Sequence, residues 1–118
     1  MTLRVKLKVV DCRDPQVILQ GKAGAYTPPP YFTYQKCPKL REGQEFYADL
    51  TETPPPGFPC AMAWAGIYAY REWLEGRVEH HQAGPGSMDR VPPEYPCCPD
   101  GLRTVCFELR LAEADAGR

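Results

Sequence analysis

Three segments of the chain alternate apolar and polar residues, as a β-strand with one buried face does. Residues 3–9 alternate Leu and Val with Arg and Lys, and residues 44–51 alternate Phe, Ala and Leu with Tyr and Asp. Residues 104–112 repeat the pattern and place Cys106 on the face opposite the apolar side chains. The alternation therefore predicts a strand in each of these segments.

Two shorter segments are further strand candidates. Residues 11–15 (DCRDP) have turn chemistry, so residues 16–20 (QVILQ) can return beside the first strand as a hairpin. Residues 77–81 (RVEHH) are expected to form a short strand. Together these segments predict a small, mostly antiparallel sheet of about four strands.

The segment 57–77 has the apolar period of an amphipathic helix. Four prolines between residues 54 and 59 exclude a helix upstream, and Gly76 is expected to end this one. We predict one main helix over residues 60–75, packed across one face of the sheet, with Cys60 in its first turn. The residues of its sheet-facing stripe are Cys60, Ala63, Trp64, Ile67, Tyr70 and Leu74.

The opposite face of this helix has small residues at its centre. Ala65, Gly66 and Ala69 lie there between Met62 and Trp73, so a second backbone can approach closely. That backbone belongs either to another subunit, which would make the protein a homo-oligomer, or to the same chain.

Length and composition fit one α+β domain spanning residues 1–118, with 43% hydrophobic and 25% charged residues. Residues 21–40 and 82–101 are rich in proline and are expected to form long ordered loops. Residues 112–118 are expected to fray.

Charge and apolar runs exclude several functions. The formal net charge is -1 and the basic residues are scattered, so no face suits a nucleic-acid backbone. No apolar run approaches the roughly 20 residues of a membrane span, and the N-terminus lacks the apolar region of a signal peptide. No glycine-rich phosphate loop is present, so we expect no nucleotide cofactor. A cytoplasmic protein is the resulting expectation.

The six cysteines are the main chemical signal, because a reducing cytoplasm disfavours structural disulfides. Cys37, Cys60 and Cys98 each lie beside a proline where a loop meets a strand or helix. At the start of a helix, a thiol such as that of Cys60 is favoured as thiolate, the form that attacks carbon or binds metal. Packing of these cysteines as small apolar residues is the alternative.

Three converging thiolates would suit zinc or an iron–sulfur cluster. Such a protein is either catalytic, through an open ligand position, or an accessory to a redox enzyme. Cys97 and Cys98 are adjacent in an extended segment and point in opposite directions, so only one of them easily joins Cys60. The candidates for a fourth ligand are Cys12, Cys97, His80 and His81.

A metal-free enzyme or ligand-binding module is a second hypothesis. Its pocket would lie at Cys60, with Tyr34, Trp64 and Tyr68 as walls and a small molecule as ligand. Asp100 is a candidate acid or base. A third hypothesis is an oligomeric interaction protein that uses the face between Met62 and Trp73. Whether the protein is an enzyme stays open at this point.

Three motifs follow one another along the chain: CPKLREGQEF, PPGFPCAMAWAGIYAYR and CCPDGLRTVCFEL. Together with the first strand they cover about two thirds of the chain. Their order resembles a family of small uncharacterised bacterial and archaeal proteins. The resemblance implies that Cys37, Cys60 and Cys98 belong together, with Trp64, Tyr68, Pro99 and Asp100 around them. The chain departs from the family in the insertion at 12–36, in Ala61 and in the extended 78–96 loop.

Overall fold

The structure is a computed structural model that describes residues 2–15, 35–80, 91–100 and 103–115. Its elements are strand β1 (Thr2–Cys12), strand β2 (Glu45–Asp49), helix α1 (Ala61–Tyr68), helix α2 (Arg71–His80) and strand β3 (Val105–Asp115). The predicted strand at 16–20 and most of the loop at 21–40 lie outside these ranges. The α+β class is confirmed at this level.

The strands form a three-stranded antiparallel sheet in the order β2-β1-β3. β1 is the central strand, because it pairs with β2 along one edge and with β3 along the other. Leu3, Val5, Leu7 and Val9 are fully buried, which confirms the predicted apolar face. The sheet thus has one strand fewer than the predicted four within the described residues.

Part of the predicted 82–101 loop pairs with β3. Glu94 pairs with Leu109, and Cys97 pairs with Cys106, both in antiparallel bridges. The segment 94–98 therefore covers the outer edge of β3, although it is too short to count as a full strand.

The end of β3 corrects the expectation of fraying for residues 112–115, whereas residues 116–118 lie outside the described residues. β3 continues to Asp115 because its backbone pairs with the start of β1, where Thr2 lies opposite Asp115. Pairing along the sheet edge orders a segment whose sequence has little apolar content.

The predicted helix is present but divided in two at residues 69–70. Tyr70 donates its amide to the carbonyl of Ile67, a tighter i→i+3 bond, and α2 then begins at Arg71. Ala63, Trp64 and Ile67 of α1 are buried, in agreement with the predicted stripe.

The second helix also overturns two boundary predictions. Gly76 lies inside α2 instead of ending the helix, and residues 77–80 are helical instead of forming a strand. Val78 is buried four positions after Leu74, so the core-facing stripe simply continues for another turn.

A tight turn brings α1 to the sheet. The amide of Phe58 donates to the carbonyl of Pro55, and Gly57 between them has a φ of 82°, a value that favours glycine. Phe58 then packs edge-on against Phe46 and Trp64, with ring centroids 5.1 and 5.4 Å away. This aromatic cluster fixes the position at which α1 starts.

Candidate functional site

Cys37, Cys60 and Cys98 all line one cavity of about 160 Å³. They come from three separate parts of the chain: the loop before β2, the start of α1 and the segment that pairs with β3. The fold thus brings together the three cysteines that the sequence singled out. The other lining residues are Pro38, Lys39, Leu40, Met62, Ala63, Asp100, Arg103 and Val105.

Cys60 occupies the N-cap position of α1, one residue before the first turn in which it was predicted. Its backbone is extended, with φ -143° and ψ 112°, as is usual for an N-cap residue. Its side chain does not cap the helix, and the first turn of α1 holds no acidic residue. The start of α1 at the cavity is therefore a region of unneutralised positive dipole, which favours a negative charge.

Cys98 is held more firmly than the other two cavity cysteines. Its backbone amide donates to the carbonyl of Val105 at 2.9 Å, and the amide of Val105 donates to the Cys98 sulfur at 3.2 Å. The side chain is buried, with 8% of its surface exposed. The Cys98 thiol also donates to the carbonyl of Arg103 at 3.9 Å, so backbone groups of residues 103–105 hold the sulfur in place.

Cys37 is half-buried and belongs to the loop that leads to β2. The next residues along the chain, Pro38 to Leu40, also line the cavity, and Leu40 is buried in the core. The loop therefore contributes both a thiol and part of an apolar wall.

Asp100 and Arg103 supply the charged part of the lining. The backbone amide of Arg103 donates to Asp100 Oδ1 at 2.9 Å, and Arg103 Nε lies 3.4 Å from Asp100 Oδ2. This pairing holds a carboxylate and a guanidinium together at the cavity. Sequence reasoning had singled out Asp100 but not Arg103, although the spacing of three residues in a turn is a signal for such a pair.

The candidates for a fourth ligand lie elsewhere, as far as they are described. Cys12 is buried beside the cavity loop, where its thiol donates to the carbonyl of Leu40 at 3.6 Å. Its pKa is raised, first by burial and then by the nearby Glu42 and Cys37. His80 is exposed at the end of α2, and His81 lies outside the described residues.

Cys97 faces Cys106 instead of the cavity. The two sulfurs are 2.7 Å apart. The pKa of the Cys97 thiol is raised to about 11 because burial and the hydrogen bond with Cys106 favour the protonated form. Sequence reasoning missed this pair, although the two cysteines lie at equal distances on either side of Gly101 and Leu102, next to the turn-forming Asp100.

The aromatic residues predicted as pocket walls have other neighbours in the described part of the chain. Trp64 is 1% exposed in the core, and its indole Nε1 donates to the carbonyl of Thr51 at 2.8 Å. Tyr68 is half-buried against the same core. Neither is among the residues that line the cavity, and Tyr34 is not among the described residues.

In the ranges described above, no group of three or more Cys, His, Asp and Glu side chains is arranged to hold a metal ion. The three cavity thiols share a cavity without converging on one point. The same ranges contain no helix with the length and apolar character needed to cross a bilayer.

The comparisons with known proteins give no relative from which a role for the cavity could be taken. No family model, curated protein or solved structure matches this chain.

Proposed function

We propose that the cavity is a thiolate site for a soft metal ion, zinc or the iron of an iron–sulfur cluster, with Cys37, Cys60 and Cys98 as ligands. The observation that carries the proposal is that three cysteines from distant parts of the chain line one small cavity. Thiolates select zinc, copper(I) and iron–sulfur clusters over hard cations such as magnesium.

The surroundings of the sulfurs support charge at this place. The start of α1, which has no side-chain cap, places the positive end of the helix dipole at Cys60. The amide of Val105 donates a hydrogen bond to the sulfur of Cys98. Hydrogen bonds to ligand sulfurs are a usual means by which a protein tunes a thiolate-bound metal.

Binding requires the thiols to turn toward one another. Rotation of a cysteine side chain between staggered positions moves its sulfur by about 3 Å with no change of the backbone. Neutral thiols do not attract one another strongly, whereas a metal ion replaces their protons and binds the resulting thiolates at one point. The observed arrangement is thus proposed as the metal-free state.

Metal analysis of protein purified without oxygen is the first test. We expect about one zinc per chain, or iron with the absorption of a cluster. Protein that contains neither metal and gives no sulfur-to-metal absorption when cobalt(II) is added would refute the proposal.

Four variants then identify the ligands. Cys37→Ser, Cys60→Ser and Cys98→Ser should each weaken cobalt(II) binding by at least about 10-fold, since loss of even a hydrogen-bond partner of a ligand typically costs that much. Cys106→Ser is the matched control, because Cys106 is half-buried but does not line the cavity. Equal binding by all four variants would contradict the assignment.

A second candidate function is that of a metal-free pocket that binds or modifies a small molecule through Cys60. The aliphatic walls and the Asp100–Arg103 pair favour it, since such a lining suits an apolar ligand with one polar group. Cys60 should then react with iodoacetamide at neutral pH faster than Cys37 and Cys98, as mass spectrometry of the digested protein can measure. Equal rates at the three cysteines would count against this function.

The proposed function requires reduced thiols, so we place the protein in the cytoplasm. We propose as its partner a redox enzyme or a second copy of the chain. A second copy would use the two ends of the face between Met62 and Trp73, whose side chains are 48% and 65% exposed, because the carbonyl of Cys97 covers Gly66 at the centre of that face. Light scattering tests self-association, and a monomer at high concentration would remove that version.

A further inference from the structure

The pairing of Cys97 with Cys106 has the geometry of a cross-strand thiol pair. The amide of Cys98 donates to the carbonyl of Val105, and the amide of Phe107 donates to the carbonyl of Pro96. These bonds flank the two cysteines, so the cysteines form a non-hydrogen-bonded pair. In such a pair the α-carbons are about 4.5 Å apart, within the range that a disulfide spans.

The two sulfurs already touch. They are 2.7 Å apart, which is closer than an ordinary non-bonded contact between sulfur atoms. Cys97 is exposed and Cys106 is half-buried, so a small reagent can reach the pair. Neither residue lines the cavity of the proposed function.

The backbone around the pair is fixed in place. The segment 94–98 is bonded to β3 through Glu94, Pro96 and Cys98. On its other side the carbonyl of Cys97 lies against Gly66 of α1, so closely that an added Cβ on Gly66 would be 2.7 Å from that oxygen. The two thiols are therefore held opposite each other by the fold itself.

We propose that Cys97 and Cys106 form a reversible disulfide bond with each other. The oxidant is a low-molecular-weight disulfide such as oxidised glutathione. One cysteine attacks the oxidant, which gives a mixed disulfide and releases one thiol. The second cysteine attacks the mixed disulfide, so that the protein S–S bond forms and the second thiol leaves. Two protein thiols are oxidised, one external disulfide is reduced, and the two hydrogens pass to the released thiols.

The disulfide closes a loop from Cys97 to Cys106 that includes Asp100 and Arg103, two residues of the cavity lining. Oxidation would thus tie one wall of the cavity covalently to β3 and leave the cavity thiols free. The inference does not depend on metal binding, because the thiols of the pair lie outside the cavity.

The test is oxidation of the reduced full-length chain with oxidised glutathione, followed by blocking of free thiols and mass spectrometry. We expect the oxidised chain to be lighter than the reduced chain by the mass of two hydrogens. Four of its six cysteines should remain as free thiols and take up the blocking reagent. Trypsin cuts after Arg103 and so separates the two cysteines, and the disulfide should hold their peptides together. Addition of reduced glutathione should reverse the change.

Variants decide which sulfurs react. Cys97→Ser and Cys106→Ser should each abolish the internal disulfide, whereas Cys60→Ser and Cys98→Ser should retain it. Stable glutathione adducts without an internal bond would overturn the inference, as would a Cys98 to Cys106 link or a disulfide between chains. If a variant does not fold, fragmentation of the linked peptides of the unaltered chain gives the same answer. The peptide 91–103 holds both Cys97 and Cys98, and the blocking group marks the one that is not in the disulfide.

Discussion

Glu108 has a lowered pKa, chiefly because Arg110 donates to both of its carboxylate oxygens, at 2.8 and 3.3 Å. Lys8 and Lys6 on the neighbouring strand add to the effect. A carboxyl whose pKa is lower in the folded state stabilises the fold above its unfolded pKa, and this stability is lost as the pH falls through the folded pKa.

We predict that Arg110→Gln raises the pKa of Glu108. The rise should be partial, because the two lysines remain. A pH titration of the Glu108 carboxyl carbon by NMR measures it. Arg13→Gln is a suitable control, since Arg13 pairs with Asp11 elsewhere on the sheet. An unchanged titration of Glu108 in Arg110→Gln would show that the hydrogen bonds are not formed in solution.

We predict that Trp64→Phe destabilises the protein by about 1–3 kcal/mol, because it removes the indole donor to Thr51 and leaves space in the core. Urea unfolding measures the change. Trp73→Phe makes the same chemical change at a side chain that is 65% exposed and should stay within about 0.5 kcal/mol of the original. Equal losses for the two variants would contradict the role of Trp64.

At the scale of elements, the two glycines of the helical region have opposite surroundings. Gly66 in α1 is covered by the carbonyl of Cys97, whereas a Cβ at Gly76 in α2 would meet no atom within 4 Å. We predict that Gly66→Ala destabilises the protein by about 1–3 kcal/mol through this clash. Gly76→Ala should stabilise it by about 0.5–1 kcal/mol, because alanine is the better helix former.

Thermal unfolding of the two alanine variants provides the measurement, and each variant is the control for the other. The same sign of change in both would mean that helix propensity, and not the close approach of the 94–98 segment, decides the effect at Gly66.

The elements show where sequence patterns are sufficient and where they are not. The strands around Val5 and Phe107 were predictable because the alternation repeats over many residues. The side chains two positions before and after each of these residues are buried as well. The break at residues 69–70 was not, because neither proline nor glycine marks it and packing of the flanking helices decides it. RVEHH is too short for its period to distinguish a helix from a strand.

For the whole molecule, a ligand that binds only the folded state raises stability by mass action. If the proposed zinc site is correct, free zinc at 100 times its dissociation constant should stabilise the reduced protein by about 2.7 kcal/mol. Thermal unfolding with and without buffered zinc measures this. Cys106→Ser should keep the gain and Cys60→Ser should lose most of it. The absence of any zinc effect on the original chain would argue against the site.

The candidate site was predictable only in part. Cys37, Cys60 and Cys98 were recognisable because each lies beside a proline at the end of a loop, and all three reach one cavity. The sequence could not reveal the aliphatic walls, since these depend on how three distant segments meet. It also did not reveal the contact of Cys97 with Cys106, which depends on the register of the 94–98 segment along β3.

The central position of β1 has a consequence for synthesis on the ribosome. β1 leaves the ribosome before β3, which is one of its two sheet partners and whose Leu111 pairs with Val5. Until β3 emerges, the nascent chain cannot complete its sheet, and the apolar face of β1 is only partly covered. Cellular yield should therefore depend on how well chaperones protect this face during translation.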